Sequence, residues 1–290
     1  MEKNPAVYSI PSNGTASLVT ADRDNHARMR KVLGHAFSDR ATREYEPIIE
    51  SYVETLINRL REQVAGPQAG KVDISDWMRY LAFDIAGDLS FGESFGCLRS
   101  QELHPWAHMV PGFLKADICI AAYDRFPMLR PFTRYLIDRD TIAAADSHFA
   151  ASGEKASQRI DLGIYRSDLM TPILKHNEKG RGLTRNEIKS NASVFIVAGS
   201  DTSATVLTGT FFYLLKNPET LRKVTEEVRN AFDSEQQINT LSAGQLPYML
   251  ACLDETHRIY PTILTGQSVV VPAGGDTIGD NWLPEGVRPC

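Results

Sequence analysis

Thr184 followed by Glu187 is a capping box, in which the hydroxyl takes one free backbone N–H of a starting helix and the carboxylate reaches back to another. The apolar pattern behind it runs to Lys216, where Asn217, Pro218 and Glu219 offer a new cap and a proline suited to a first helical turn. Roughly thirty residues at ~1.5 Å rise make about 50 Å of helix, enough to cross a compact domain. Midway, the stretch SVFIVAGSDTSATVLTGTFFYLL sets Gly199, Ser200, Asp201, Thr202 and Ser203 between two apolar blocks. A glycine there costs about 1 kcal/mol against alanine, so something must offset it. One reading is close helix packing at Gly199 with Asp201 facing solvent. The other is a groove: Ala198 and Gly199 admit a flat ligand to the backbone, while Asp201 and Thr202 offer an acid and a hydroxyl that relay protons into an apolar site. A membrane span is disfavoured by the central Asp201.

Shorter helices are predicted on either side. Asp22 or Asp24 can cap one running through HARMRKVLGHAF, and Ser38 a second carrying Ile49, Val53, Leu56 and Leu60 on one face. Gly66, Pro67 and Gly70 end that helix; Ser75 or Asp76 begins WMRYLAFDIAGDL, which closes on the turn SFGESFG. Pro105, Pro111, Pro127 and Pro131 divide residues 101–160 into helices joined by bends. After the long helix, TLRKVTEEVRNAF and the segment from Pro247 to Pro261 read as two more. The tail SVVVPAGGDTIGDNWLPEG reads as short strands. The expected fold class is mainly α with a small β portion.

Composition narrows the function. The chain has 290 residues, 42% hydrophobic and 23% charged, which supplies a sizeable core and excludes disorder and coiled coil. Thirty-one basic against 36 acidic residues leave a net charge of −5, so nucleic acid is not an expected partner. Cys97, Cys119, Cys252 and Cys290 lie far apart with no CxxC pair, which points to a reducing, cytoplasmic compartment. No residue is assigned to a metal. The first seventeen residues show neither a signal-peptide pattern nor a transmembrane anchor. Sequons at Asn13 and Asn191 are read as chance matches, the second lying inside the long helix.

Two further constellations carry chemistry. Glu255 and Arg258, three apart on a helix, bring a carboxylate to a guanidinium, and their apolar neighbours Leu250, Leu253 and Ile259 predict partial burial. Buried, such a pair needs partners for its remaining donors, or desolvation outweighs the attraction. His26 and Arg30, one turn apart, can point together at an anionic ligand or form an ordinary basic face.

Taken together and in order, these features resemble the cytochrome P-450 family of haem-thiolate monooxygenases, particularly its fungal members. The resemblance rests on His26 and Arg30 within HARMRKVLGHAFSDRA, on DIAGDLSFGESFG, on AGSDTS at residues 198–203 and on ETHR at residues 255–258 ahead of Tyr260-Pro261. It implies an incomplete cytochrome P-450 fold, one partial domain over residues 1–290. It implies haem as cofactor, with His26 and Arg30 on its propionates and Ala198 and Gly199 against the porphyrin. Asp201 and Thr202 would deliver protons, and Glu255 with Arg258 would be a structural ion pair. The implied partners are an NADPH-dependent reductase and a small lipophilic substrate of fungal secondary metabolism. Full-length relatives are expected on the cytosolic face of the endoplasmic reticulum membrane.

The sequence departs from the family at three points. The FxxGxRxCxG loop with the iron-ligating cysteine is not found, since the sequence given ends at Cys290, 32 residues after Arg258. The segment holding the arginine that completes the Glu255 and Arg258 network is likewise not found, and Val269 stands where a propionate-binding arginine often lies. The N-terminal anchor region is also not found. The competing expectation is therefore a catalytically inactive remnant or a non-enzymatic binding protein that takes up haem weakly or not at all.

Overall fold

Asp22, Ser38 and Asp73 each set a side-chain oxygen on a free backbone N–H, and a helix follows each: α1 (Arg23–Leu33), α2 (Asp39–Ala65) and α3 (Ile74–Phe91). Asp73 starts α3, accepting from the Ser75 amide at 2.9 Å, so the expected caps Ser75 and Asp76 lie inside the first turn. The computed structural model describes residues 2–4, 8, 13–66, 70–124, 128, 137–163, 166–177, 182–263 and 269–287. Next come α4 (Cys97–Ser100), a 3-10 turn (Pro105–His108), α5 (Met109–Asp124), α6 (Arg139–Asp161) and α7 (Met170–Asn177). The long helix α8 (Arg185–Lys216) follows, then α9 (Pro218–Ala231), α10 (Thr240–Ala243) and α11 (Pro247–Ile259). Strand β1 (Glu2–Lys3) pairs antiparallel with β2 (Val269–Val270), and β3 (Asp276–Ile278) pairs with β4 (Asn281–Leu283) across a turn where Gly279 takes φ +57°. The architecture is mainly α with a small β portion.

The capping box at the head of α8 is formed: the Thr184 amide donates to Glu187 at 2.8 Å and the Glu187 amide to the Thr184 hydroxyl at 3.2 Å. Asn217 does not cap α9. Its amide donates backwards to the Tyr213 carbonyl at 2.8 Å, satisfying an orphan acceptor at the end of α8 instead.

The chain divides into two compact units, and α8 contributes to both. The first comprises Met1–Phe37, His104–Phe195 and Thr265–Cys290. Here Met29, Val32 and Leu33 of α1, Met170 and Ile173 of α7, and Ile188 and Ala192 of α8 are buried. Asn191 is buried among them: its Oδ1 accepts from the Leu18 amide at 2.8 Å and its Nδ2 donates to the Glu187 carbonyl at 2.8 Å. With both ends of its amide engaged and no exposure, this sequon is a structural amide. Arg28 pairs with Glu187. Burial raises the Glu187 carboxyl, but hydrogen bonds from Arg28 and the Thr184 amide outweigh it and hold the group below its ordinary range.

A clasp closes the corner between α6 and α7. Arg159, fully buried, donates through Nε and Nη2 to the two oxygens of Asp168, at 2.7 and 3.0 Å. Its remaining donors reach the Gly163 carbonyl at 2.6 Å and the Thr171 hydroxyl at 3.0 Å. Asp168 also accepts from the amides of Met170 and Thr171, which starts α7. Four guanidinium N–H donors are thus matched, which is the kind of support a buried ion pair requires to repay its desolvation.

The second unit comprises Ser38–Leu103 and Ile196–Leu264. Its core holds Leu56, Trp77, Met78, Leu81, Ala82, Leu98 and Ala204, flanked by Tyr52 and Leu60. Tyr52, Leu56 and Leu60 thus form the inward stripe of α2, whereas Val53, expected on that stripe, is 41% exposed. The glycine-rich turn after α3 is a fold-back. Buried Asp84 accepts from the Cys97 and Leu98 amides at 3.0 and 2.9 Å, and Tyr52 donates to Asp88 at 2.6 Å. Gly92 ends α3 in the left-handed region at φ +79°, and a Cβ on Gly87 would stand 2.3 Å from the Phe95 ring.

Candidate functional site

In the second unit, Ala198 and Gly199 of α8 are exposed, Ser200 is buried, and Asp201 and Thr202 are half-buried. A Cβ built on Gly199 would meet only the Ala86 methyl, at 3.4 Å. Gly199 therefore packs on α3 at ordinary contact distance, and among the described residues no bulky side chain covers it. Thr202 donates its hydroxyl proton to the Ala198 carbonyl, one turn back. Its oxygen is left with acceptor lone pairs for a neighbouring donor. Ser200 makes the equivalent bond to the Ile196 carbonyl at 2.6 Å. Two back-bonding hydroxyls beside a glycine weaken the helix's own ladder at the notch. Asp201 has no hydrogen-bond or ion-pair partner among the described residues, so its carboxylate is available to a ligand or to water.

Ten residues on, a second glycine of α8 takes part in packing. Gly209 is buried against α11, where a Cβ would stand 3.0 Å from the Tyr260 ring and 3.2 Å from Thr256. The Thr210 and Thr256 hydroxyls meet at 3.3 Å, and Thr256 is 2% exposed. The helix carrying Glu255 and Arg258 is thus held by the threonine between them. Its N-terminus is held by Glu227 of α9, whose two oxygens accept from the Tyr248 and Met249 amides at 2.8 Å each. Neither Glu227 nor Gly209 has a local sequence signal, since each depends on a helix packed across the unit.

Glu255 and Arg258 form a bidentate pair, Nε and Nη2 to the two carboxylate oxygens at 2.7 Å each. The expected partial burial is not found: the side chains are 55% and 69% exposed. At this exposure the donors the pair leaves unmatched face solvent, and an ion pair so exposed carries little desolvation penalty. The Arg258 hydrogen bonds hold the Glu255 carboxyl below its ordinary range.

In the first unit, His26 is half-buried and Arg30 exposed on α1. Burial, then the positive charges of Lys3 and Arg30, push the His26 imidazole below its ordinary pKa. Lys3 donates to the Leu18 and Val19 carbonyls at 2.7 and 2.8 Å, which fixes its ammonium beside α1. It lies opposite Val269 in the β1–β2 pair. Both charges acting on His26 are positive, so an anion bound there would offset them. Lys3 was illegible in the sequence, because β1 is two residues long and pairs with a strand at the other end of the chain. His26, Arg30 and Lys3 belong to one unit; Ala198, Gly199, Asp201, Thr202, Glu255 and Arg258 belong to the other.

Each set by itself has chemistry that suits a porphyrin: in the first unit the cations suit its carboxylates, and in the second an uncovered stretch of helix backbone suits its plane. Among the described residues no group of three His, Cys, Asp or Glu could hold a metal ion, and Cys290 lies outside the described residues. Nor, among them, is any helix long and apolar enough to cross a membrane.

Comparison with known proteins agrees. A profile of the family described as Cytochrome P450 matches residues 1–288. Cytochrome P450 monooxygenase lcsI of Purpureocillium lilacinum is 37% identical over 279 residues, covering 96% of this chain and 54% of that protein. Trichothecene C-15 hydroxylase of Fusarium sporotrichioides is 37% identical, covering 96% of this chain and 56% of its own length. Averantin hydroxylase of Dothistroma septosporum is 34% identical, covering 99% and 54%. The chain spans just over half the length of these relatives. In structure, the haem domain of cytochrome P450DA is similar with a TM-score of 0.75 at 20% identity, covering 98% of this chain and 59% of that one. The profile, the fungal relatives and the shared fold bear on nearly every residue, and the chain belongs to the cytochrome P450 family, whose cofactor is haem.

Proposed function

We propose that this chain carries the oxygen-side groove and part of the haem cradle of a monooxygenase. The reaction inserts one atom of dioxygen into a small lipophilic substrate and reduces the other to water, with two electrons from an NADPH-dependent reductase and two protons. The observation that carries this reading is the uncovered Ala198–Gly199 backbone with Asp201 and Thr202 beside it. Two relatives named as hydroxylases, of a trichothecene and of averantin, support oxygen insertion in fungal secondary metabolism. When bound, haem supplies the redox chemistry. The chain's own residues bind it and handle protons: His26, Arg30 and Lys3 offset the charge of its carboxylates, with Lys3 supplying a cation across from Val269. Ala198 and Gly199 admit its plane. Thr202, its own proton committed to Ala198, accepts a hydrogen bond from the proton donor, and Asp201 passes protons in from solvent.

The test is a titration of the chain with haem and with haem dimethyl ester, followed by absorbance and by the His26 imidazole resonance. Haem should bind about tenfold more tightly than the ester, raise the His26 pKa, and lose that preference in His26→Gln/Arg30→Gln. Equal affinity for the two would remove the carboxylate site, and no binding of either favours a haem-free binding protein. In the protein supplied with reductase and substrate, Thr202→Ala should release more hydrogen peroxide per product; unchanged coupling would remove the relay.

A further inference from the structure

We propose that His148 is a positioning residue for the groove helix: its neutral ring locks the 3-10 turn and α6 to the carbonyl of Ser193 on α8. The inference rests on the reading of α8 given above and adds a residue to it. His148 is fully buried near the middle of α6. The Trp106 indole N–H points at its Nδ1 at 3.0 Å, and its Nε2 lies 3.3 Å from the Ser193 carbonyl. An indole nitrogen can only donate, so Nδ1 must be the bare nitrogen, and the ring proton is therefore on Nε2, donating to Ser193. One tautomer satisfies both partners, and both nitrogens are used.

The surroundings hold the ring in that state. Phe113 from α5 stacks on it with centroids 4.6 Å apart, Phe149 from its own helix meets it edge-on, and Trp106 closes the third side. Among the described residues no ionisable side chain acts on the ring: burial lowers its pKa, and the Ser193 carbonyl raises it. Protonation would set an N–H against the Trp106 N–H, two donors face to face. The ring is thus a strut that stays neutral through the working range and fails only in acid.

Ser193 lies five residues before Ala198 on the same helix, in a stretch where three hydroxyls, from Ser193, Ser200 and Thr202, bond back onto helix carbonyls. A helix whose own ladder is weakened needs an external hold, and His148 gives it one on the N-terminal side of the notch.

The experiment uses the whole chain without haem or substrate, so its failure would sink the His148 role alone, while failure of the haem titration would leave it standing. Nitrogen–proton correlation of the imidazole should place the proton on Nε2 at neutral pH and keep it there down to about pH 5. Trp106 emission, isolated by Trp77→Phe and Trp282→Phe, should change with a midpoint of about 4. In His148→Phe, amides at residues 193–202 should exchange about tenfold faster, with α2 unchanged, and His148→Gln, which can accept and donate at the same sites, should restore protection. If His148→Phe does not fold, the wild-type tautomer and emission midpoint decide alone. A proton on Nδ1, a midpoint near the ordinary 6.5, or unaltered exchange in a folded His148→Phe would overturn the proposal.

Discussion

Two glycines of identical sequence rank are opposite in consequence. Gly87 sits where the Phe95 ring, itself packed on Phe83 and Phe91, would meet a Cβ at 2.3 Å. Gly199 has open space but for a methyl at 3.4 Å. Gly87→Ala should therefore destabilise the protein by about 1–3 kcal/mol through displaced aromatic packing. Gly199→Ala should be neutral or stabilising by up to ~1 kcal/mol, because helix propensity gains and little is crowded. Urea denaturation of the two variants distinguishes them; a large loss at Gly199 would mean that its packing, rather than an open notch, explains the glycine. Both glycines stand in a helical pattern, and the difference lies in Phe95 and Ala86, which the local sequence does not rank.

At the scale of elements, the joints are made by polar side chains on backbone groups. Glu227 caps α11, Asp84 caps α4, Asn217 reaches back to α8, and Arg159 with Asp168 closes the α6–α7 corner. The last joint is the most demanding, because removing Asp168 strands the buried Arg159 charge and removing Arg159 leaves the buried carboxylate to Arg166, at 3.7 Å. Arg159→Ala or Asp168→Ala should each cost about 3–5 kcal/mol, while the double change to a hydrophobic pair of matched volume should recover part of it. Chemical denaturation of the wild type, the two alanine variants and their Arg159→Ala/Asp168→Ala combination gives the cycle; additive losses would show that the two residues act separately. Asp168 fits a helix-start signal ahead of α7, yet nothing near Arg159 marks it as anything but one more basic residue on α6. Burial of Arg159 is set by α7 folding back over it.

For the molecule as a whole, acid sensitivity follows from His148. Its ordinary pKa of 6.5 applies to the unfolded chain, and burial pushes it down to about 4 in the fold. Between those values the unfolded chain binds the proton and the folded one does not, so this stability is complete above the upper value and is lost as pH falls towards the lower. The ceiling is on the order of 3 kcal/mol. Urea midpoints compared across that window should fall with acid in the wild type and fall less in His148→Gln; parallel slopes would remove the assignment. Sequence by itself determined the helices, the capping box at Thr184 and Glu187 and the family, because caps, periodicity and short motifs act over a few residues. Tertiary structure alone decided that Glu255 and Arg258 are solvated, that Lys3 stands beside His26, that Val53 faces out, and that His148 is neutral. Each of those depends on a surface brought from far along the chain, as Trp106 is to His148 and β2 to β1, and dielectric surroundings exist only once such surfaces meet.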